Sequence, residues 1–284
     1  MKWYGLFIFF LILLTGCKVL MKEKRPEPRL GAGFRHSTYG PNYEPGPAYW
    51  AELATKMVSR FPSAVPQGIW IVGELQDRGV LLSFPGSSSK PDIKFTSEDR
   101  NENALNLFDD LGVQVWLQVE PGDAPVEDLI HLMLKQYGHH PCVIGVGVDV
   151  EWYHSNKGPE GQAVTDTEAR AWLEAARSHG SQYRLFLKHW LTEKMPPTVR
   201  EGILFVDDSQ EFSSLDEMVN EFEAWGKTFA PAPVAFQYGY EVDRIWWSKL
   251  QDPPGEIGRR ILATIPNTEA LYWVDFTALE VFPP

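Results

Sequence analysis

The chain has 284 residues, with 38 acidic against 26 basic side chains and a formal net charge of −12. No basic run occurs beyond position 29, so a nucleic-acid partner is not expected: such partners are held by positive surfaces that displace phosphate counterions. Two cysteines make no disulfide framework, whereas eleven Trp and ten Tyr are many for this length and suit carbohydrate clefts, where flat rings stack on sugar faces.

The chain starts with one Lys, an unbroken apolar run from Trp3 to Leu14, and then Leu14-Thr15-Gly16-Cys17. The run is short for a bilayer span but suits the hydrophobic region of a signal peptide. Its ending resembles the lipobox of bacterial lipoproteins, which implies that Cys17 is acylated and becomes the mature N-terminus. Residues 18–29, charged and Pro-containing, then read as a tether, and the protein is expected to be exported and lipid-anchored in a bacterial cell envelope. Cys142 is left as an unpaired, buried thiol.

From position 30 to the end, β-rich segments alternate with amphipathic helical ones without a change of composition. Strands are predicted at 31–36, 68–75, 113–120, 143–152, 184–190, 203–209, 234–240 and 270–276. Helices are predicted at 48–61, 102–111, 126–137, 168–179, 215–229 and 256–264. Thr165 with Glu168 and Ser214 with Glu217 have the spacing of capping boxes, and Gly112, Gly138 and Gly180 sit at helix stops. This alternation predicts an α/β fold, a single (β/α)₈ TIM barrel spanning 30–284. No Gly-rich phosphate loop follows the first strand, which disfavours a Rossmann sheet. Two irregularities are expected: an extra strand or hairpin at Val80–Pro85, and a fifth crossover, Leu191–Glu201, without a helix.

In such a barrel the chemistry lies where the strands end. That rule selects His36, Glu74, Glu120, Asp149 and Glu151 on the first four strands. The remaining strands supply Lys188 and His189, Asp207 and Asp208, Gln237 and Tyr238, and finally Trp273 and Asp275. His139 and His140 precede the fourth strand, and His131 and His179 lie on helices, so all four read as structural or solvated. A ring of acids, amides and aromatics suits a polyol substrate. On the fourth strand, alternation places Gly145, Gly147, Asp149 and Glu151 on one face and Val146, Val148, Val150 and Trp152 on the other. The valine face belongs under the helices. The glycines then open a hollow inside the barrel below two acids about 7 Å apart along the backbone. Two close carboxylates raise one another's pKa, so one can stay protonated and act as a general acid. The competing reading leaves them solvated, or paired with a cation such as Lys188.

The run IGVGVDVEWY resembles the fourth-strand signature of the chitinase-like family 18 glycoside hydrolases, and family 25 lysozyme-like barrels also carry an Asp-x-Glu at a strand end. The resemblance implies Glu151 as general acid and Asp149 as the carboxylate that assists a substrate N-acetyl group. It also implies Trp273 beneath the sugar, with Tyr238, Gln237 and Asp207 or Asp208 as contacts to it. The sequence departs from that pattern at Gly147 and Ile144, where the family has acids. The expected function is therefore an envelope-tethered retaining glycosidase acting on an N-acetylated glycan, with no cofactor and no metal. Without substrate assistance Asp207, Asp208 or Glu120 would serve as nucleophile. The alternatives are a degenerate glycan-binding barrel and, with neither a His-x-His nor an HExxH in support, a metal-dependent hydrolase using His36, Glu120, Asp149 and His189.

Overall fold

Apart from residue 1, the computed structural model describes residues 29–158 and 160–284. Cys17, the expected signal segment and the tether up to position 28 lie outside the described residues. In chain order the strands are β1 (Gly31–His36), β2 (Val65–Gln76), β3 (Gly79–Leu82), β4 (Ile93–Phe95), β5 (Gln114–Val119), β6 (Val143–Asp149), β7 (Arg184–Lys188), β8 (Ile203–Asp207), β9 (Val234–Tyr238) and β10 (Thr268–Val274). All but β3 and β4 are parallel neighbours, and β10 pairs back onto β1, which closes an eight-stranded barrel. The helices are α1 (Pro47–Val58), α2 (Glu102–Leu111), α3 (Val126–Tyr137), α4 (Asp166–Ser178), α5 (Leu215–Phe229), α6 (Arg244–Trp247), α7 (Pro253–Thr264) and α8 (Ala278–Val281). The chain is a (β/α)₈ barrel.

Both expected irregularities are present. β3 folds back antiparallel on the end of β2, pairing Gln76 with Gly79 and Gly73 with Leu82, and β4 extends that flap. The connection from β7 to β8 contains only a 3-10 turn at Thr192–Lys194. Local sequence sets several helix ends. Thr165 and Glu168 form a reciprocal capping box at the start of α4. Ser214 accepts from the Glu217 backbone at α5, but the Glu217 carboxylate turns to Ser213 instead. Gly112 ends α2 in the left-handed conformation, with φ at 68°. Among the described residues no helix is long and apolar enough to cross a membrane.

Alternation along each strand divides the core into two layers. Outside the sheet, under the helices, lie Val146, Val148 and Val150 of β6 and its following turn, with Leu185, Leu187, Phe205, Phe236 and Leu271. Inside the barrel lie Ile69, Trp116, Phe186, Leu204, Val206, Ala235, Ala270 and Tyr272. The predicted hollow beside the glycines is filled by aromatic rings. A Cβ on Gly145 would fall 2.5 Å from the Trp116 ring, and one on Gly147 would fall 1.9 Å from that of Phe186. The two rings meet edge to face with centroids 5.6 Å apart. Below them Arg184 stacks its guanidinium over Trp116 and pairs with Glu269. The interior is thus filled by rings up to the level of Gly147, with the polar mouth above them.

Candidate active site at the barrel mouth

β6 stops at Asp149, three residues earlier than its sequence suggests. Val150–Trp152 forms a 3-10 turn closed by the Tyr153 N–H donating to Val150 O at 3.0 Å. The expected pair of acids on one strand face is therefore an acid on the strand, Asp149, and an acid on the turn above it, Glu151. Their environments differ sharply. Asp149 is 1% exposed and takes hydrogen bonds from Lys188 Nζ at 2.8 Å and Gln118 Nε2 at 3.2 Å. Lys188, on the neighbouring strand and in register with Asp149, also donates to Asp208. One buried ammonium is thus shared by two buried carboxylates. Glu151 is half-buried and has no hydrogen-bond or ion-pair partner among the described residues.

Burial pushes the Asp149 carboxyl up to about 8; Lys188 opposes the rise, while Asp208, Glu120 and Glu151 add to it. Burial also raises Glu151 above the ordinary glutamate range, against Lys188 and with help from Asp208 and Glu120. Glu120 is raised chiefly by burial, even though Tyr39 Oη donates to its Oε2 at 2.5 Å and the Leu75 N–H to the same oxygen at 2.9 Å. Lys188 is held well above its ordinary range by Asp149 and Asp208, which overcome the effect of burial, so it remains a cation. The mouth therefore holds several acids that resist ionisation around the Lys188 ammonium. Glu151 is the one among Asp149, Glu151, Glu120 and Asp208 whose carboxyl is unengaged.

Other residues complete the ring. Arg35 donates to Asp275 Oδ1 at 2.7 Å and to Ser37 Oγ at 2.8 Å, and its charge reaches Glu120 and Glu151. Tyr240 Oη donates to Gln237 Oε1 at 3.2 Å. Asp149 Oδ1, Gln118 Oε1, Asp208 Oδ1 and Gln237 Nε2 are buried without a partner among the described residues, a concentration of unsatisfied polar atoms typical of functional sites. A cleft of about 470 Å³ opens beside them, lined by Glu151, Asp208, Trp190 and Phe212 together with Glu160, Glu211 and Glu221.

Of the residues expected here from sequence, Asp149, Glu151, Glu120, Asp208 and Gln237 come together with Lys188 and Asp275, and six do not join them. Trp273 is fully buried in the outer layer, packed against Tyr238, Trp247 and Phe282, with its Nε1 donating to Thr277 Oγ1. It cannot lie under a sugar, because the inward residue of that strand is Tyr272. Tyr238 also points outward and donates to Pro254 O. Asp207 lies on the outward register of β8, fully buried, and burial keeps its pKa well above the ordinary range. His36 stacks on Trp70 at 3.7 Å and pairs with Glu44, while its neighbour Arg35 takes the inward position. Glu74 accepts from the Thr38 backbone on the flap. His189 has both ring nitrogens engaged, Nδ1 accepting from the Leu191 N–H and Nε2 donating to Glu160 O. The metal set His36, Glu120, Asp149 and His189 is therefore not assembled.

Arg35, Tyr39, Gln118, Tyr240 and Trp190 were not singled out from the sequence. Strand parity could have revealed two of them. Gln118 lies on the face of Trp116 and Glu120, and Arg35 on that of Gly31 and Gly33.

No family model matches the chain, and no curated protein matches it by sequence. Solved structures do share its fold. A β-glucuronidase from an uncultured Clostridium sp. superimposes with a TM-score of 0.50 at 8% identity, over 87% of this chain and 43% of that one. Bacteroides uniformis β-glucuronidase 2 gives 0.49 at 12% identity over 87% and 30%, and the catalytic module of a family 98 glycoside hydrolase from Streptococcus pneumoniae gives 0.42 at 11% over 87% and 46%. The chain spans less than half the length of each. At 8% identity the first likeness is one of fold alone.

Proposed function

We propose that the chain is a glycoside hydrolase with Glu151 as its general acid, acting on an N-acetylated glycan at the cell envelope to which an acylated Cys17 tethers it. The observation that carries this reading is the state of Glu151: a carboxyl raised in pKa, unengaged, and bordering the cleft at the strand ends. A general acid must hold its proton near neutrality and be free to deliver it to the glycosidic oxygen. Asp149 sits below, oriented through one oxygen by Lys188 and Gln118 and with the other unpartnered, as an assisting carboxylate requires. Trp190, half-buried at the cleft wall, supplies the stacking surface that Trp273 does not. The β-glucuronidase name of the first structural neighbour adds a sugar-cleaving precedent on the same barrel.

The test is hydrolysis of N-acetylglucosamine oligomers and of aryl glucuronides by the wild type and by Glu151→Gln. Turnover should fall by at least about a hundredfold in the variant while calorimetric binding of the oligomer is retained, since general acid–base catalysis contributes roughly 10²–10⁴-fold. Undiminished turnover in the variant would remove Glu151 from the mechanism. One observation favours a second reading, glycan binding without cleavage: Lys188 engages both Asp149 and Asp208, so neither is a free nucleophile. Binding of the oligomers with no turnover by the wild type across both substrate classes would select that reading.

A further inference from the structure

A second cluster lies outside the barrel, where the turn between α3 and β6 meets α2. His140 is buried, and both of its ring nitrogens face carboxylates: Nδ1 is 2.6 Å from Asp109 Oδ2 and Nε2 is 3.3 Å from Glu102 Oε2. The exposed neighbour His139 turns its Nε2 to the other oxygen of Glu102 at 3.7 Å, and the two imidazoles are 4.1 Å apart. A neutral imidazole donates from only one nitrogen. The shorter contact makes Nδ1–H the donor to Asp109, whose other oxygen is fixed by the Cys142 N–H at 2.7 Å. The Nε2 lone pair then meets a carboxylate lone pair, and neither Glu102 nor Asp109 has a Lys or Arg partner among the described residues. A metal ion between them would turn that contact into two favourable ones.

We propose that Glu102, His139 and His140 form a binding site for a divalent transition metal such as Zn²⁺. Zinc–nitrogen and zinc–oxygen bonds of about 2.0–2.2 Å at tetrahedral angles put ligand atoms about 3.3–3.6 Å apart. The 3.3 Å from His140 Nε2 to Glu102 Oε2 matches such an edge, and the 3.7 Å from His139 Nε2 to Oε1 leaves a small turn of the carboxylate or of the exposed His139 ring to bring both nitrogens onto one ion. Asp109 has the place of the carboxylate that commonly accepts the far N–H of a metal-bound histidine, fixing the ring with Nε2 toward the ion. Glu102 and His139 are open to solvent, which leaves room for water as a fourth ligand. Cys142 is left out of the set because its Sγ is turned to Leu105 O, to which it donates at 3.6 Å. The ion would clamp the start of α2 to the turn that leads into β6.

The test is titration of the full chain, purified in detergent and stripped with chelator, with Zn²⁺ by calorimetry and with Co²⁺ by visible absorption. One Zn²⁺ should bind, raise the melting temperature, and be replaceable by Co²⁺ with the intense absorption of a tetrahedral site. His139→Ala, at an exposed position, and Glu102→Gln, at a half-buried one, should each weaken binding at least tenfold and lose the melting shift. His131→Ala disrupts the one other close histidine pair, His131 with His179, and should leave the site unchanged. Equal affinity in wild type, His139→Ala and Glu102→Gln would overturn the assignment, as would loss of binding in His131→Ala. So would failure of the wild type to bind Zn²⁺.

Discussion

Gly147→Ala tests the packing that supports the mouth. The new Cβ would lie 1.9 Å from one Phe186 ring carbon and 2.1 Å from another, where carbon atoms at rest stand about 3.5–4.0 Å apart. The ring would have to retreat by roughly 1.5–2 Å. It is fully buried against Trp116 in an interior without slack. Overpacking of this kind costs about 1–3 kcal/mol, and this clash belongs at the upper end. Phe186→Ala alone should cost about 3–5 kcal/mol through the cavity it leaves. In the double variant the methyl group occupies part of that cavity, so the combined loss should fall short of the sum by about 1–3 kcal/mol. Equilibrium urea unfolding of the four proteins measures all three quantities. Additivity within about 0.5 kcal/mol, or a Gly147→Ala protein as stable as wild type, would refute the packing argument. Gly147→Asp, which restores the acid of the chitinase-like pattern, should be worse still, since it adds an unpaired buried charge to the same clash.

Lys188→Met should destabilise the fold by about 3–5 kcal/mol, because it leaves Asp149 and Asp208 without their cation. Asp149, already raised by burial, would then favour protonation in the folded state still more, so stability should fall further as pH rises, and a pH-independent deficit in chemical unfolding would contradict this. Glu151→Gln should raise the melting temperature at pH 8 but not at pH 4. The wild-type carboxyl has a folded pKa raised above its unfolded value, so its contribution is present at low pH and is lost as pH rises through the folded pKa; equal shifts at both pH values would argue against a raised pKa. For the active wild type the same proton predicts an alkaline limb in kcat/KM with a midpoint above the ordinary glutamate value. Trp190→Ala should weaken oligosaccharide binding about tenfold, the equivalent of about 1.4 kcal/mol, and an unchanged calorimetric Kd would remove Trp190 from the cleft.

The barrel was legible because its strands and helices keep distinct periods, and because βαβ alternation admits few closed solutions. The glycine face of β6 was legible for the same reason: valines on one side and glycines on the other leave only one way to face the helices. Parity failed where both faces are apolar. In ALYWVDF and VAFQYGY nothing in the pattern says which aromatic residue points inward, since a parallel barrel strand is covered on both sides; Trp273 and Tyr238 consequently fell on the outer layer. His36 drew attention over Arg35 through its chemistry, although the Gly31–Gly33 face already marked Arg35 as the inward residue. Glu151 was found for its identity but placed by a period that had ended two residues earlier. A 3-10 turn has no hydrophobic signature that distinguishes it from one more strand residue.

That turn also separates the fate of Glu151 from the fate of the barrel. It is gripped from outside by the segment around Gly161, which adopts φ 71° and approaches so closely that a Cβ would fall 2.0 Å from Val150 O. The grip is itself anchored by His189 Nε2 on Glu160 O and by Lys194 Nζ on Gly161 O at 2.7 Å. Asp149 is tied to the staves of the barrel, while Glu151 is aimed by a latch built from loops. A change to the latch can therefore re-aim the Glu151 carboxyl while the barrel stays folded, and His189, through its bond to Glu160 O, bears on the orientation of a carboxyl it does not touch.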